Sequence, residues 1–265
     1  MSDPAVLYEE KDHVATITLN RPENRNSMTE DVLEGLRAAV ARVKEDASLR
    51  CVIVTGRGKS FCAGADFRSQ IQRSDVAGER KLLPNERSFA MYSPFLSLLQ
   101  IEVPVIGALN GHAIGGGLGL ALVCDIRVAN REAKYGANFT KLGLHPGMAT
   151  TYFLPRFVGV PRAAELLFTG RLVSGEEAAR LGLANYAVAE DQVLPKSQEL
   201  AREVASCAPI AVRWTKRSLY QNVDWDPVSA AQAEAHAQSR TLETEDSKEG
   251  VQALLQKREP VFRGR

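Results

Sequence analysis

The chain has 265 residues, 45% of them hydrophobic, and a formal net charge of +1, which is ordinary for a folded globular domain. A charge so close to zero disfavours nucleic acid and anionic membrane surfaces as partners. Residues 1–10 lack the apolar core of a signal peptide, and there is no run of about 18 apolar residues that could span a membrane.

Four cysteines are spread along the chain and form no C-x-x-C pair: Cys51, Cys62, Cys124 and Cys207. This spacing favours reduced thiols in a cytoplasmic protein over a disulfide framework or a zinc site. We therefore expect no metal centre.

The N-terminal region predicts a strand, a helix and a second strand. Residues 14–19 alternate and are rich in β-branched side chains, so they predict a strand that forms a hairpin with residues 6–10. Helical spacing begins after Thr29, with Thr29 or Ser27 as the expected cap. The apolar run 51–56 predicts a buried strand, and this order of elements indicates a covered, largely parallel sheet.

A glycine-containing turn follows that strand at residues 56–67. Residues 69–90 are mostly polar and charged and are broken at Pro84, which suggests a variable segment that could cover a site. The apolar run 103–109 predicts another buried strand.

Five glycines then fall within residues 111–119, between that strand and an apolar helix predicted over residues 118–124. The start of a helix offers free N–H groups, and glycines allow a carbonyl or phosphate oxygen to approach them. The alternative is that the glycines only let two elements pack closely. Neither the dinucleotide pattern G-x-G-x-x-G nor P-loop spacing occurs here.

The remaining sequence predicts mainly helices. A strand is expected at 125–129, a turn near 134–136 and a helix at 148–157 that stops at Gly159. Further helices are predicted at 162–168, after a cap at Ser174, at 194–207, at 210–220, from Asp226 and from Ser247. No linker divides the chain.

Several short motifs together resemble the enoyl-CoA hydratase/isomerase (crotonase) family, from about Val6 to Arg265. The motifs are Asn20-Arg21-Pro22, residues 60–66, residues 110–117, Cys124-Asp125, residues 142–147 and residues 243–250. The resemblance implies an α/β fold, a crotonase-like spiral of ββα units with a C-terminal helical region. It implies a core at 1–195 with the CoA thioester site, and a helical trimerisation region at 196–265 within the same domain.

The resemblance also implies an acyl-CoA thioester as substrate and a homotrimer or hexamer as the assembly. Coenzyme A would enter only as part of the substrate, with no permanently bound cofactor, no nucleic acid and no membrane partner. The backbone N–H groups of Ala65 and Gly116 would hold the thioester oxygen as it becomes enolate-like.

Other site residues follow from the same alignment. Ala63, Gly115, Gly119 and Phe139 would line the substrate pocket. Arg25 and Arg68 would lie near the CoA phosphates and adenosine, and Lys257 would reach CoA from a neighbouring subunit. The alternative for these three cations is a solvated surface.

The sequence departs from the family's hydratases at their two glutamates, which are replaced by Gly119 and Phe139; an aspartate that some relatives use is replaced by Gly147. Hydration by two carboxylates is therefore in doubt. A dry pocket at Phe139 would suit an apolar acyl chain, and Phe139→Glu with Gly119→Glu is expected to create or raise hydration of crotonyl-CoA.

His145 is the best candidate for the missing acid or base, because an imidazole titrates near neutral pH; the alternative is a structural histidine. His112 is a weaker candidate. Asn138, Thr140 and Tyr92 could orient water without ionising. Asp66 and Asp125 are expected to tie turns to backbone N–H groups, and Cys62 to be a buried inert thiol.

Two main functions compete. The first is an acyl-CoA enzyme that stabilises an enolate: an isomerase, a lyase or an atypical hydratase. The second is a non-catalytic acyl-CoA binder or partner subunit. A nucleotide-binding domain unrelated to CoA is a weaker third, because the phosphate-loop spacing is missing.

Overall fold

The computed structural model of the protein describes residues 3–65 and 83–265. We number the elements along this described part of the chain. The strands are β1 Val6–Lys11, β2 Val14–Leu19, β3 Cys51–Gly56, β4 Ser60–Cys62, β5 Val105–Leu109, β6 His112–Ile114, β7 Ile126–Asn130, β8 Lys134–Gly136, β9 Val173–Ser174 and β10 Tyr186–Val188. The helices are α1 Glu30–Glu45, α2 Pro84–Leu96, α3 Gly116–Leu122, α4 Thr150–Val158, α5 Val160–Thr169, α6 Gly175–Leu181, α7 Val193–Ala205, α8 Pro209–Asn222, α9 Pro227–Leu242 and α10 Glu245–Gln256.

Two sheets organise these elements. The larger has the order β1-β2-β3-β5-β7-β10 and the smaller β4-β6-β8-β9. The larger sheet is parallel from β2 onward, and β1 joins β2 in the predicted hairpin. The turn of that hairpin has positive φ at Asp12 (50°) and His13 (64°), the backbone twist that suits a two-residue loop.

The central strands β3 and β5 are buried along their whole length, which explains why they read as continuous apolar runs. In β3, Val52 and Val54 belong to the main core, under α1, whereas Cys51 and Ile53 face a second cluster that includes Leu200 of α7. The helices α1 and α7 therefore cover opposite faces of β3.

Two local predictions in this part of the chain were wrong. Residues 134–136 form strand β8 rather than a turn, because Tyr135 and Gly136 pair with β6. Pro84 begins α2 instead of breaking a segment, since proline is well suited to the first helical turn. Thr29, one of the two predicted caps, does occupy the N-cap position of α1, but its hydroxyl donates to Asp31 instead of accepting a backbone N–H, and the Ser27 hydroxyl donates to the Asn24 carbonyl.

The predicted caps at Ser174 and Asp226 are confirmed, since their side chains accept backbone N–H bonds in the first turns of α6 and α9. The last helix begins two residues earlier than predicted, at Glu245, with Thr244 as its cap. The predicted division between residues 195 and 196 falls inside α7 and stays a prediction.

The C-terminal helices are tied to the sheet through Asp125. Its carboxylate accepts the Val105 N–H at 2.6 Å, pairs with Lys216 of α8 at 2.7 Å and accepts the Tyr220 hydroxyl at 2.5 Å. The structural role predicted for Asp125 is therefore confirmed. None of the helices in the described ranges has the length and apolar character that a membrane crossing requires.

Candidate active site

Two turns lie side by side at the carboxyl ends of β4 and β6. These strands pair in parallel, with Ser60 opposite His112 and Cys62 opposite Ala113. Because parallel strands end at the same edge of a sheet, the residues that follow them meet: Ala63 to Ala65 after β4, and Gly115 to Gly117 after β6.

The closest approach between the two turns is at Gly64. A Cβ atom on Gly64 would lie 2.7 Å from the Ile114 carbonyl oxygen and 2.9 Å from the Gly116 nitrogen, and Gly64 has φ +85°. Only glycine fits this backbone without displacing its neighbour. Ala63 and Ala65 are half-buried around it.

The second turn opens helix α3. Gly116 is the first residue of that helix, so its N–H has no acceptor within the helix. Gly117 packs against the first turn: a Cβ there would be 1.9 Å from the Cys62 carbonyl oxygen. Close packing, the alternative reading of the glycine run, is thus correct for Gly117, and it brings the Gly116 N–H to the edge of the first turn.

The polar loop before α1 holds the first turn in place. The Arg25 carbonyl accepts the Ala63 N–H at 3.0 Å, and the Met28 N–H donates to the Gly64 carbonyl at 2.9 Å. Asn26 is fully buried, and its amide donates to the Ser60 carbonyl at 2.7 Å. These bonds leave little freedom for the backbone on either side of Gly64.

Phe139 lies beside the glycine run; its place in a substrate pocket stays a prediction. It sits in a 3-10 helix, Asn138–Leu142, and its Cζ is 3.8 Å from the position of a Cβ on Gly115. The Asn138 side-chain oxygen is 3.5 Å from the same point. Phe139 is partly buried against the main core and presents an apolar ring next to the turn.

The segment that follows, Gly147 to Ala149, has an unusual backbone. Met148 and Ala149 both have positive φ, 59° and 52°, although neither is glycine, and Met148 is 2% exposed. The predicted start of α4 at residue 148 is therefore wrong: the helix begins at Thr150. Non-glycine residues in this conformation are strained, and such strain is often found near functional sites.

The two histidines lie in different surroundings. His145 is exposed in the loop before α4, and no hydrogen bond to it occurs among residues 3–65 and 83–265. His112 accepts the Lys134 N–H through Nδ1 at 2.9 Å, which joins β6 to β8. This bond gives His112 a structural role.

Two of the three predicted cations, Arg25 and Lys257, belong to the described part of the chain, and both are exposed. The Arg25 side chain is exposed, and its described contribution to the site comes from its carbonyl group. Lys257 is exposed at the C-terminal end of α10, with φ 53°. Arg68 and Asp66 lie outside the described residues.

Three cysteines are buried. Burial raises the pKa of Cys62 to about 12, even though a backbone hydrogen bond from Gly64 acts in the opposite direction. A thiol that stays protonated is a poor nucleophile, so the interpretation of Cys62 as inert is supported. Within the described part of the chain, no cluster of three or more His, Cys, Asp or Glu residues could hold a metal ion.

A cavity of about 640 Å³ lies elsewhere, at the start of α9, and includes Asp224, Trp225 and Asp226 in its lining. Its carboxylates are already engaged: Asp224 pairs with Arg156 at 3.3 Å and Asp226 caps α9. It therefore offers no free acid or base.

The fold and the site together define the class of protein: an α/β chain in which two glycine turns meet at the ends of parallel strands. The sequence profile of the family described as Enoyl-CoA hydratase/isomerase matches residues 9–265. The chain belongs to that family, and the predicted crotonase-like fold is confirmed.

Individual relatives are similar over nearly their whole length. The chain is 34% identical to a short-chain-enoyl-CoA hydratase of Clostridium acetobutylicum, over 96% of this chain and 95% of that protein. It is 35% identical to an (E)-benzylidenesuccinyl-CoA hydratase of Thauera aromatica, over 98% and 99%. The crystal structure of an enoyl-CoA hydratase from Bacillus anthracis superposes with a TM-score of 0.91 at 36% identity, covering 98% of this chain and 100% of that one.

Sequence reasoning missed the residues that support the first turn. Asn26 and Met28 lie in a loop whose composition signals only a turn. Met28 is 6% exposed, and its Sδ is 2.6 Å from the position of a Cβ on Gly116. Periodicity cannot reveal such contacts, because they join residues that are far apart in sequence.

Proposed function

We propose that this protein is an acyl-CoA-processing enzyme that stabilises a thioester enolate between the backbone N–H groups of Ala65 and Gly116. The observation that carries the proposal is the contact between Gly64 and Gly116, with 2.9 Å from a Cβ at Gly64 to the Gly116 nitrogen. The two relatives described above, a short-chain-enoyl-CoA hydratase and an (E)-benzylidenesuccinyl-CoA hydratase, support the substrate class.

The chemistry follows from where charge develops. Removing a proton from the carbon next to a thioester carbonyl places negative charge on the carbonyl oxygen. Fixed N–H donors stabilise that charge without reorganisation, and removal of one such donor from comparable enzymes costs about 3–4 kcal/mol in the barrier. The two backbone donors can approach one oxygen only if the residue where their turns touch is small, and Gly64 is that residue.

The kind of enolate reaction is constrained by the wall beside the turn. Neither Gly119 nor Phe139 supplies a carboxylate, and the Phe139 ring lies beside Gly115. An apolar wall suits an isomerase or lyase reaction of an apolar acyl chain more than addition of water by two carboxylates. His145 remains a proposed acid or base, although its exposed position in this chain does not favour it.

Assembly into a trimer or hexamer belongs to the same proposal. Large apolar side chains are exposed on the C-terminal helices, with Leu254 and Leu255 at 79% and Leu242 at 62%. Apolar surface of this kind often marks a protein interface. Lys257, which follows α10, would be carried to a neighbouring subunit's CoA by such an assembly.

The test is mass spectrometry of saturated and unsaturated acyl-CoA esters incubated with the protein in heavy water. We expect deuterium to appear at the α-carbon of at least one ester. Gly64→Ala should abolish this exchange, because the added methyl group meets the backbone of Ile114 and Gly116.

Gly143→Ala is the matched control. Gly143 also has positive φ (+69°), but a Cβ there meets nothing within 4 Å. It therefore introduces a similar backbone strain, on the order of 1–2 kcal/mol, without touching the turns. Equal loss of exchange in both folded variants would contradict the proposal. Tight binding of acyl-CoA with no mass change in any ester would favour the non-catalytic binder, which the absence of carboxylates at positions 119 and 139 also motivates.

A further inference from the structure

The hydroxyl of Tyr92 occupies the place that a side chain on Gly147 would take. A Cβ atom on Gly147 would lie 2.4 Å from the Tyr92 Oη and 2.7 Å from its Cζ. Tyr92 is on α2 and is partly buried against the main core, whereas Gly147 belongs to the loop that precedes α4.

This place adjoins the glycine turn through two contacts. Met148 follows Gly147, and its Cβ lies 2.3 Å from the position of a Cβ on Gly119. Gly119 is three residues after Gly116 and so lies on the same face of α3, about one turn further along. One continuous wall thus begins at Gly116 and runs through Gly119, Met148, Gly147 and Tyr92.

Tyr92 brings a proton donor to a wall that is otherwise apolar. Gly119, Phe139 and Met148 carry no exchangeable side-chain proton. Among residues 3–65 and 83–265, no hydrogen bond is formed by the Tyr92 hydroxyl. A partly buried hydroxyl without a protein partner is available to a bound molecule.

We propose that Tyr92 is a catalytic residue that transfers the proton between the acyl chain and solvent; this inference rests on the proposed enolate chemistry. When the enolate is protonated, the Tyr92 phenol O–H gives its proton to the α-carbon of the thioester. The enolate π pair forms the new C–H bond, the oxygen pair restores the thioester carbonyl, and the phenolate takes a proton from water, which leaves as hydroxide. Enolate formation is the reverse sequence.

The test compares wild-type protein, Tyr92→Phe and Tyr186→Phe in the heavy-water exchange of butyryl-CoA and crotonyl-CoA. Tyr186 is a partly exposed tyrosine on β10 and serves as the matched control. We expect Tyr92→Phe to lower the maximal exchange rate by about 100-fold or more, the usual contribution of a general acid or base. The Kd for each thioester, measured by calorimetry, should change less than about threefold, and Tyr186→Phe should match wild type.

Gly147→Ala gives a second, independent route, because its methyl group must displace the Tyr92 hydroxyl. We expect it to lower exchange, and we expect no further loss when it is combined with Tyr92→Phe, since both changes act on one group.

Three results would overturn the inference. One is a Tyr92→Phe rate within about threefold of wild type, and another is a parallel loss of rate and affinity, which would make Tyr92 a binding residue only. The third is a wild-type protein that exchanges neither ester nor any other thioester, which would overturn the proposed function as well. If the wild-type protein exchanges deuterium, the first two results overturn only the role of Tyr92, and the proposed function stands.

Discussion

The Met148 side chain fills the space beside Gly119: a Cβ atom on Gly119 would lie 2.3 Å from the Met148 Cβ and 3.0 Å from its Cγ. Met148 is 2% exposed and has φ +59°, so it is held in this place despite a strained backbone. Position 119 therefore has no room for a glutamate. The sequence-based expectation that Gly119→Glu with Phe139→Glu would create hydration needs correction, because Met148 must change too.

Gly119→Glu alone is expected to lower the free energy of unfolding by about 3 kcal/mol, since it overpacks the core and buries a carboxylate. Met148→Gly in that background should restore part of the loss, because it opens the space and removes the strain of a positive φ. Urea unfolding of the four proteins of this cycle measures the coupling, expected to exceed about 1 kcal/mol. Additive effects would contradict the contact. The folded triple variant with Phe139→Glu is the proper test of gained hydration.

Asp125 and Lys216 should prove essential for the packing of α8. Their side chains are 15% and 13% exposed and 2.7 Å apart. Asp125→Ala leaves Lys216 nearly buried without its carboxylate and removes the acceptor of the Val105 N–H, so we expect a loss of about 3 kcal/mol by chemical denaturation. Lys196→Met, which breaks the more exposed pair with Glu199, is the control and should leave the unfolding midpoint unchanged. An equal loss of stability in both variants would show that the Asp125–Lys216 pair contributes no more than an exposed ion pair.

The C-terminal tail should loosen in acid through Glu249. Two hydrogen bonds from Arg258 and one from the Val261 N–H lower the pKa of Glu249 from 4.5 to about 2. A lowered pKa in the folded state stabilises the protein above the unfolded value, and this stability is lost as the pH falls through the folded value. The melting temperature of wild type should exceed that of Glu249→Gln at pH 7, and the difference should shrink between about pH 4.5 and pH 2. A constant difference would contradict this linkage.

Alkylation should distinguish the four cysteines. Burial raises the pKa of Cys51, Cys62 and Cys124 to about 12, whereas Cys207 is exposed. At pH 8 the folded protein should therefore react with iodoacetamide at Cys207 alone, and all four thiols should react in guanidinium chloride. Peptide mapping reads this out, and the Cys207→Ser variant should remain unlabelled when folded. Rapid labelling of Cys62 would instead indicate a reactive thiol at the glycine turn.

The sequence predicted the elements whose signals are local. The strands at 14–19 and 51–56 were predicted with their observed bounds, because their apolar patterns repeat over the whole element. Elements of two or three residues such as β8 were missed, since so short a strand has no period and exists only through pairing with β6.

The site divides in the same way. The sequence by itself determined the two glycine turns, the presence of glycine and phenylalanine at positions 119 and 139, and the family, because these depend on residue identity and order. Only the tertiary structure decided that Gly64 contacts Gly116 and that Asn26 and Met28 hold this contact in place. It also decided that Met148 fills the space beside Gly119 and that the Tyr92 hydroxyl fills the space beside Gly147. The reason is physical: close packing joins side chains from distant parts of the chain, and no sequence period records which of them share a space.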